Sequence, residues 1–355
     1  MSTWLITGGA GFIGSNFVRH LAAAPPARLV VLDALTYAGN LATIADLIDD
    51  TRVCFVHADI RDPAAVRDVF ARHDVECVVH FAAESHVDRS IIGPRTFVET
   101  NVTGTLNLLL AAQERWQGAR GRRCFLHVSS DEVYGALSAA DRPRDEASPY
   151  APNSPYAASK AASDHLVRAW HRTYGLPAII TNCSNNYGPW QFPEKLIPLM
   201  ILNAIEGREL PVYGDGLQIR DWLHVQDHCE ALLAVIGRGT FGSTYCIGGN
   251  DERTNLSVVE TICDLSDAEL GRRCGTTRAL IRHVADRPGH DRRYAIDSSR
   301  LQHELGWSPC RKFDGSLADV VRWYLAHRPW VDAIRSGEYL RFYSLQYQQR
   351  LQATS

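Results

Sequence analysis

Two short runs carry residue types that can do chemistry. The first is Ser154, Pro155, Tyr156, Ala157, Ala158, Ser159, Lys160. Ser154 suits a helix N-cap and Pro155 the first helical position, so Tyr156 and Lys160 fall one turn apart on one face. A free tyrosine has a pKa of about 10 and is a poor base at neutral pH. An ammonium one turn away and the positive end of the helix dipole both favour its phenolate. The predicted chemistry is proton abstraction from a substrate hydroxyl, with Tyr156 as base and Lys160 as its activator. The same spacing also fits an amphipathic helix with one aromatic and one lysine. The second run is Ser130, Asp131, Glu132, just beyond an apolar stretch over 124–128. A hydroxyl there can bond the reacting group, and the two carboxylates can act as acid and base once burial separates their pKa values. Adjacent acids are also common in solvated loops, so the elements around both runs decide.

Those elements alternate strand and helix. A strand over 4–7 runs into Gly8, Gly9, Ala10, Gly11, Phe12, Ile13, Gly14, and a helix continues through 18–24. The glycines fit both G-x-G-x-x-G and G-x-x-G-x-x-G, and let the backbone approach a pyrophosphate seated on the helix N-terminus. A strand over 29–32 ends at Asp33, about 20 residues further on, where an acid binds ribose hydroxyls. Asp33 repels a 2′-phosphate and Ala34 offers no cation, which favours NAD over NADP. A strand over 53–57 leads to Asp59 and Ile60 as an adenine edge. A strand over 77–81 opens at Phe81 into Ala82 and Ala83, small enough to let a cofactor pass, and then Glu84, Ser85 and His86, which face cofactor or substrate. His86 alone also suits a local hydrogen-bonding role. A helix over 102–113 follows, with Thr100 and Asn101 at its head.

The second half adds a strand over 178–181 ending in a polar cradle with Asn182, Asn185 and Asn186, a helix to 206, a strand over 210–213 and a helix over 226–236. Arg220, Arg287, Arg292 and Arg293 stand singly near strand ends, where a planar fork suits a diphosphate; each suits a structural salt bridge equally well. The expected fold is α/β, a Rossmann doubly wound parallel sheet with a smaller, interleaved C-terminal substrate-binding lobe. The expected division is an NAD-binding domain over 1–184, rejoined by 215–248, a substrate lobe from 185–214 and 249–335, and a tail over 336–355.

Composition bounds the rest. The 355 residues are 45% hydrophobic and 22% charged with net charge -3, so no basic excess points to nucleic acid. The nine cysteines form no Cys-x-x-Cys pair, which argues against a zinc site and, with no leader or membrane-length apolar run, for a reducing, cytoplasmic setting. No metal is expected.

The glycine loop with Asp33, the Tyr156/Lys160 pair and the strand-end hydroxyl resemble the extended short-chain dehydrogenase/reductase family. The chain is most similar to its dTDP-glucose 4,6-dehydratase branch, in the stretches 81–90, 131–135, 182–189, 193–199, 218–223 and 286–297. Asp131 with Glu132 is the specific element, because simple epimerases of the superfamily lack it. The resemblance implies that Tyr156, helped by Lys160, takes the proton of the sugar 4-hydroxyl while NAD takes hydride. Glu132 then removes the carbon-5 proton and Asp131 protonates the departing 6-hydroxyl. It places the cofactor on Gly8, Gly11, Phe12, Ile13 and Gly14; on Asp33, Ala34, Leu35 and Thr36; on Asp59, Ile60, Phe81, Ala82, Ala83, Ser85 and Thr100; and on Tyr156, Lys160 and Asn186. It places dTDP-glucose on Glu84, Ser85, Ser130, Asn185, Lys195, Leu196, Pro211, Tyr213, Arg220, Asn255, Arg287 and His290. A homodimer is implied, paired through the Tyr156 and Val102 helices. Two departures stand out: the family usually has threonine where Ser130 stands, and the 136–150 loop is short. The alternatives are another NAD-dependent sugar-nucleotide dehydratase or 4-epimerase, and a non-catalytic NAD sensor, a class that commonly loses the Tyr or the Lys.

Overall fold

Strands buried on both faces read as continuous apolar runs, and the first half of the chain is built from them. In a computed structural model, residues 2–23 and 27–335 are described. The strands are β1 (Ser2–Thr7), β2 (Ala27–Asp33), β3 (Val53–His57), β4 (Val75–His80), β5 (Cys124–Ser130), β6 (Ala178–Cys183), β7 (Asn185–Tyr187), β8 (Leu210–Tyr213), β9 (Ile219–His224), β10 (Thr244–Ile247), β11 (Glu252–Thr254) and β12 (Ile281–Val284). Seven of them form a parallel sheet in the order β10-β6-β5-β4-β1-β2-β3.

Successive side chains of a strand point to opposite faces. Leu5 therefore packs with Val66, Phe70 and Leu108 on one face, and Ile6 with Phe17, Val18 and Leu232 on the other. Each such side chain contributes about 1.5–3 kcal/mol by leaving water. The Val225–Arg238 helix belongs to the second of these cores, and β10 extends the same sheet. This is the Rossmann-type α/β fold expected. The order reverses between β1 and β4, so the carboxyl ends there open a crevice.

A third core joins the Leu196–Glu206, Asn255–Glu269 and Phe313–Ala326 helices. Its strands form two small sheets, β11-β9-β7 and β12-β8.

Two local expectations are corrected. The helix expected over 102–113 is preceded by Pro94–Phe97 and a wider π turn, Val98–Gly104, before a regular helix over Thr105–Trp116. The π turn carries Asn101, whose Oδ1 accepts from the Glu84 amide at 2.8 Å and whose Nδ2 donates to the Glu84 carbonyl at 3.0 Å. The stretch 219–224, not expected as a strand, is β9; its Asp221 accepts from the Gly249 and Asp251 amides at 2.9 and 2.8 Å. The tail expected over 336–355 lies outside the described residues.

Candidate active site

The crevice holds a cavity of about 390 Å³. Its floor is the glycine loop, where side chains cannot fit. Gly8 has φ +70°, and a Cβ there would meet the Ala82 nitrogen at 2.6 Å. A Cβ on Gly14 would meet the Gly8 carbonyl oxygen at 2.2 Å. The loop thus curls onto itself and presents backbone amides and the N-terminus of the Phe12–Ala23 helix, a cradle for phosphate. Asp33 closes β2. Its Oδ2 accepts from the Ala10 amide at 3.0 Å and its Oδ1 from the Leu35 amide at 2.8 Å, and each oxygen keeps a lone pair for a ribose hydroxyl. Burial raises its pKa, against those two bonds. Glycine cradle, helix terminus and aimed carboxylate together fit NAD.

The wall gathers most of the expected residues. Gly11, Phe12, Ile13, Ala34, Thr36, Asp59, Ile60, Phe81, Ala82, Ala83, Ser85, Thr100 and Asn186 all line it, as do Glu84, Asn185 and Lys195. Leu35 does not; its amide serves Asp33 instead. Seven residues expected around the substrate are also absent from the wall: Leu196, Pro211, Tyr213, Arg220, Asn255, Arg287 and His290. They stand on the Leu196–Glu206 and Asn255–Glu269 helices, on β8 and β9, and in the loop after β12. Tyr213 Oη donates to Asp88 Oδ2 at 3.0 Å, and Arg287 pairs with Asp88 Oδ1 at 3.2 Å. Arg220 donates to the Asp291 carbonyl at 3.0 Å and lies over the Tyr294 ring. His290 Nδ1 is 2.6 Å from Asp286 Oδ1, and burial drops that imidazole to about 4. Pro211 sits in β8, Leu196 follows Lys195, and Asn255 begins its helix with its amide on the Gln218 carbonyl.

Tyr156 and Lys160 enter the cavity from the Pro155–Tyr174 helix, capped as expected by Ser154 Oγ on the Ala157 amide at 3.1 Å. The electrostatics differ from expectation. Burial, then the charge of Glu132, pushes the Tyr156 hydroxyl well above its ordinary range, and a bond with Ser130 opposes them. Lys160 is itself depressed by burial, and its Nζ donates to the Val128 carbonyl at 2.8 Å. The lysine therefore does not by itself bring the phenol into range.

Asp131 and Glu132 follow β5 in a single 3-10 turn, Asp131–Tyr134. Ser130 Oγ donates to Asp131 Oδ1 at 3.3 Å and accepts from the Glu132 amide at 3.3 Å. Asp131 Oδ2 is buried with no hydrogen-bond partner among the described residues. Burial, then the charges of Glu132 and Asp221, pushes Asp131 well up. Glu132 is raised by burial but held down by Arg287, Arg220 and Lys195. Both carboxyls are thus raised, Asp131 well above its ordinary range and Glu132 against the opposing charge of three cations.

Several site residues carried no sequence signal. Tyr37 lies between the wall residues Thr36 and Ala38: its ring lies 3.7 Å under the Arg89 guanidinium and edge-on to Phe192 at 5.9 Å. Arg89 Nε in turn donates to Glu194 Oε2 at 3.1 Å. Thr36 and Ala38 on one side of this clasp, and Phe192 and Glu194 on the other, all line the cavity. These contacts join segments far apart in the sequence, so no local spacing reports them. Asn101 had a signal in its place beside Thr100, and the π turn that carries it is a feature frequent at functional sites.

The family model described as GDP-mannose 4,6 dehydratase matches residues 5–320. The chain is 56% identical over 344 residues to a dTDP-glucose 4,6-dehydratase of Xanthomonas campestris pv. campestris, spanning 96% of this chain and 97% of the relative. It is 52% identical to dTDP-glucose 4,6-dehydratase 1 of Escherichia coli, over 98% and 99% of the two chains. The solved dTDP-glucose 4,6-dehydratase of Streptomyces venezuelae, with NAD and TYD bound, superposes with a TM-score of 0.86 at 47% identity, over 94% of this chain and 99% of the other. A UDP-glucose 4-epimerase of Thermus thermophilus in complex with NAD aligns at TM-score 0.81 and 28% identity, over 92% and 99%.

Proposed function

This chain belongs to the dTDP-glucose 4,6-dehydratase family, and from that premise we propose that it removes water from dTDP-glucose to give dTDP-4-keto-6-deoxy-glucose. Bound on the glycine loop and Asp33, NAD would supply the hydride chemistry of the reaction, removal from carbon 4 and return to carbon 6. Tyr156 takes the 4-hydroxyl proton, and Ser130, hydrogen-bonded beside it, orients that hydroxyl. The 4-ketone acidifies the carbon-5 proton, which Glu132 removes. Asp131 gives its proton to the departing 6-hydroxyl, and Glu132 then returns a proton to carbon 5. The glycine loop and Asp33 hold the cofactor, while Lys195, Arg220 and Arg287 supply the positive charge that a diphosphate requires.

The observation that carries this reading is the placement of two carboxyls, Asp131 and Glu132, in one turn on the cavity wall beside Tyr156, Asp131 pushed well up and Glu132 opposed by three cations. A pair of titratable groups pushed apart by their surroundings supplies an acid and a base at one pH. Oxidation and return at carbon 4 alone, the task of an epimerase, needs neither. Incubation with dTDP-glucose tests the reading. Formation of the 4-keto-6-deoxy product supports it; no such product, with another sugar nucleotide consumed instead, rejects it.

We extend the proposal to organisation. The large sheet with its helices acts as the cofactor domain and the remainder as the substrate lobe. A homodimer covers Ile92, Val98 and Leu110, which are 75%, 52% and 48% exposed along consecutive helical segments. The nine free cysteines fit a cytoplasmic setting, and among the described residues no helix is long and apolar enough to cross a membrane.

A further inference from the structure

The Pro155–Tyr174 helix carries a third ionisable residue on its working face. Asp164 lies one turn beyond Lys160, as Lys160 lies one turn beyond Tyr156. Asp164 is 1% exposed and Lys160 4%, so water does little to screen one from the other. The carboxylate is held from several elements. Its Oδ2 accepts from Ser129 Oγ at 2.9 Å, Tyr150 Oη at 2.9 Å and Asn182 Nδ2 at 3.2 Å. Its Oδ1 faces His127 Nε2 at 3.2 Å. Ser129 immediately precedes Ser130, and His127 and Ser129 flank Val128, whose carbonyl accepts from Lys160. The carboxylate is therefore tied to the β5 end that carries the acid and base and to the β6 end that carries the asparagine cradle.

We propose that Asp164 is a positioning residue: its fixed carboxylate holds the proton shared by the buried Tyr156/Lys160 pair on the lysine, leaving the tyrosine free to act as base. The proposal rests on the reading of Tyr156 as the base for alcohol oxidation. The pair can lose its first proton in two ways, to phenolate with ammonium or to phenol with amine. A negative charge next to the lysine favours the first, and Asp164 is the first group opposing the burial that depresses Lys160. Its effect on Tyr156 is indirect, since the largest charge that raises that hydroxyl belongs to Glu132. The other titratable groups facing these residues are His80 from β4, His127 from β5, Cys183 from β6 and Tyr150 from the loop before the helix. Both histidines are depressed by burial and stay neutral through neutral pH. The thiol is pushed up to about 12 and the Tyr150 phenol is raised. None of the four supplies a charge at neutral pH that replaces the carboxylate.

The test compares the NAD-loaded chain with Asp164→Asn and Tyr150→Phe across pH. Two signals are read: single-turnover oxidation of dTDP-glucose, and the ultraviolet absorbance of phenolate with Tyr156→Phe subtracted. In Asp164→Asn the expected oxidation rate falls about tenfold at neutral pH and recovers to within about twofold at the alkaline limit, because a coupled pair then needs higher pH to yield phenolate. The phenolate signal moves up in pH with it. Tyr150→Phe removes one bond to Asp164 but keeps the charge, and its profile stays in place. A loss by one factor at every pH, or no loss, overturns the proposal and leaves Asp164 an anchor. So does an upward shift in Tyr150→Phe, which decides the matter alone should the asparagine chain not fold. If the unaltered chain forms no 4-keto product, the dehydratase reading has failed, and that failure is separate from this one.

Discussion

Replacing Glu132 with glutamine separates the steps that the site performs in sequence. Glutamine keeps the shape of the side chain and cannot accept the carbon-5 proton. The backbone bond from residue 132 to Ser130 Oγ, 3.3 Å in the parent chain, survives the change. The charge of Glu132 is the largest cause after burial in raising both Tyr156 and Asp131. Neutralising it makes the Tyr156 hydroxyl easier to ionise, so oxidation at carbon 4 continues at the parent rate or faster. Elimination loses its base, and a positioned base is worth about 10²–10⁴ in rate, or about 3–5 kcal/mol of barrier. Mixing Glu132→Gln with dTDP-glucose should build up reduced nicotinamide absorbance to about one equivalent per chain. Release of the 4-keto-6-deoxy product should slow at least about 100-fold. Solvent deuterium should fail to enter carbon 5. Water loss at the parent rate would refute Glu132 as base. A folded Glu132→Gln chain that fails to oxidise the sugar would refute the independence of the two steps.

The clasp around Tyr37 predicts that Tyr37→Ala loses NAD faster. A cation–π contact and an edge-on ring pair are together worth about 1–2 kcal/mol, or roughly tenfold in dissociation, and nucleotide retained per chain after gel filtration measures it; equal retention contradicts the prediction. Arg287 is the largest charge opposing the rise of Glu132, so Arg287→Gln should move the pH at which elimination switches on upward, read as carbon-5 deuterium exchange against pH; an unmoved profile counts against it. Burial pushes the His228 imidazole from 6.5 down to about 3. Above about pH 6.5 this residue adds no pH dependence, and as pH falls toward 3 the unfolded chain takes up a proton that the folded chain refuses, costing about 2 kcal/mol at about pH 5. Urea unfolding of His228→Leu at about pH 7 and about pH 5 should show a gap smaller by that amount, and an unchanged gap would contradict the assignment.

Local spacing made the cofactor half of the site legible. The glycine loop, Asp33 and the Ser154-capped helix each depend on residues within one turn or one strand, and the structure has them as the spacing predicts. The substrate half is harder to read. β9 holds Arg220 and Asp221 among buried neighbours, and their partners stand about 30 and 70 residues away, so no alternation of polar and apolar residues announces a strand. The π turn at Val98–Gly104 comes with the bonds of Asn101 to Glu84, a contact between segments that sequence periodicity does not join. The surroundings of Tyr156 are hidden from the sequence for a similar reason. One lysine a turn away is visible in sequence, whereas burial and the opposing charge of Glu132 arise only when β5 and the helix pack together.

The division of labour between Asp131 and Glu132 follows from where the turn places them. In a 3-10 turn, consecutive side chains diverge by about 120°. One carboxyl therefore meets the buried, acidic side of the site, where Asp221 adds to its rise. The next is turned into the field of Lys195, Arg220 and Arg287. On the proposed reading those same cations meet the substrate diphosphate, so its arrival draws on the charge that opposes the rise of Glu132. A phosphate oxygen taken up by Arg287 weakens the hold on Glu132 and strengthens it as a base at the moment the sugar is in place. On the proposed reading, substrate binding and base strength are coupled through Lys195, Arg220 and Arg287, which act on the elimination step without touching carbon 5.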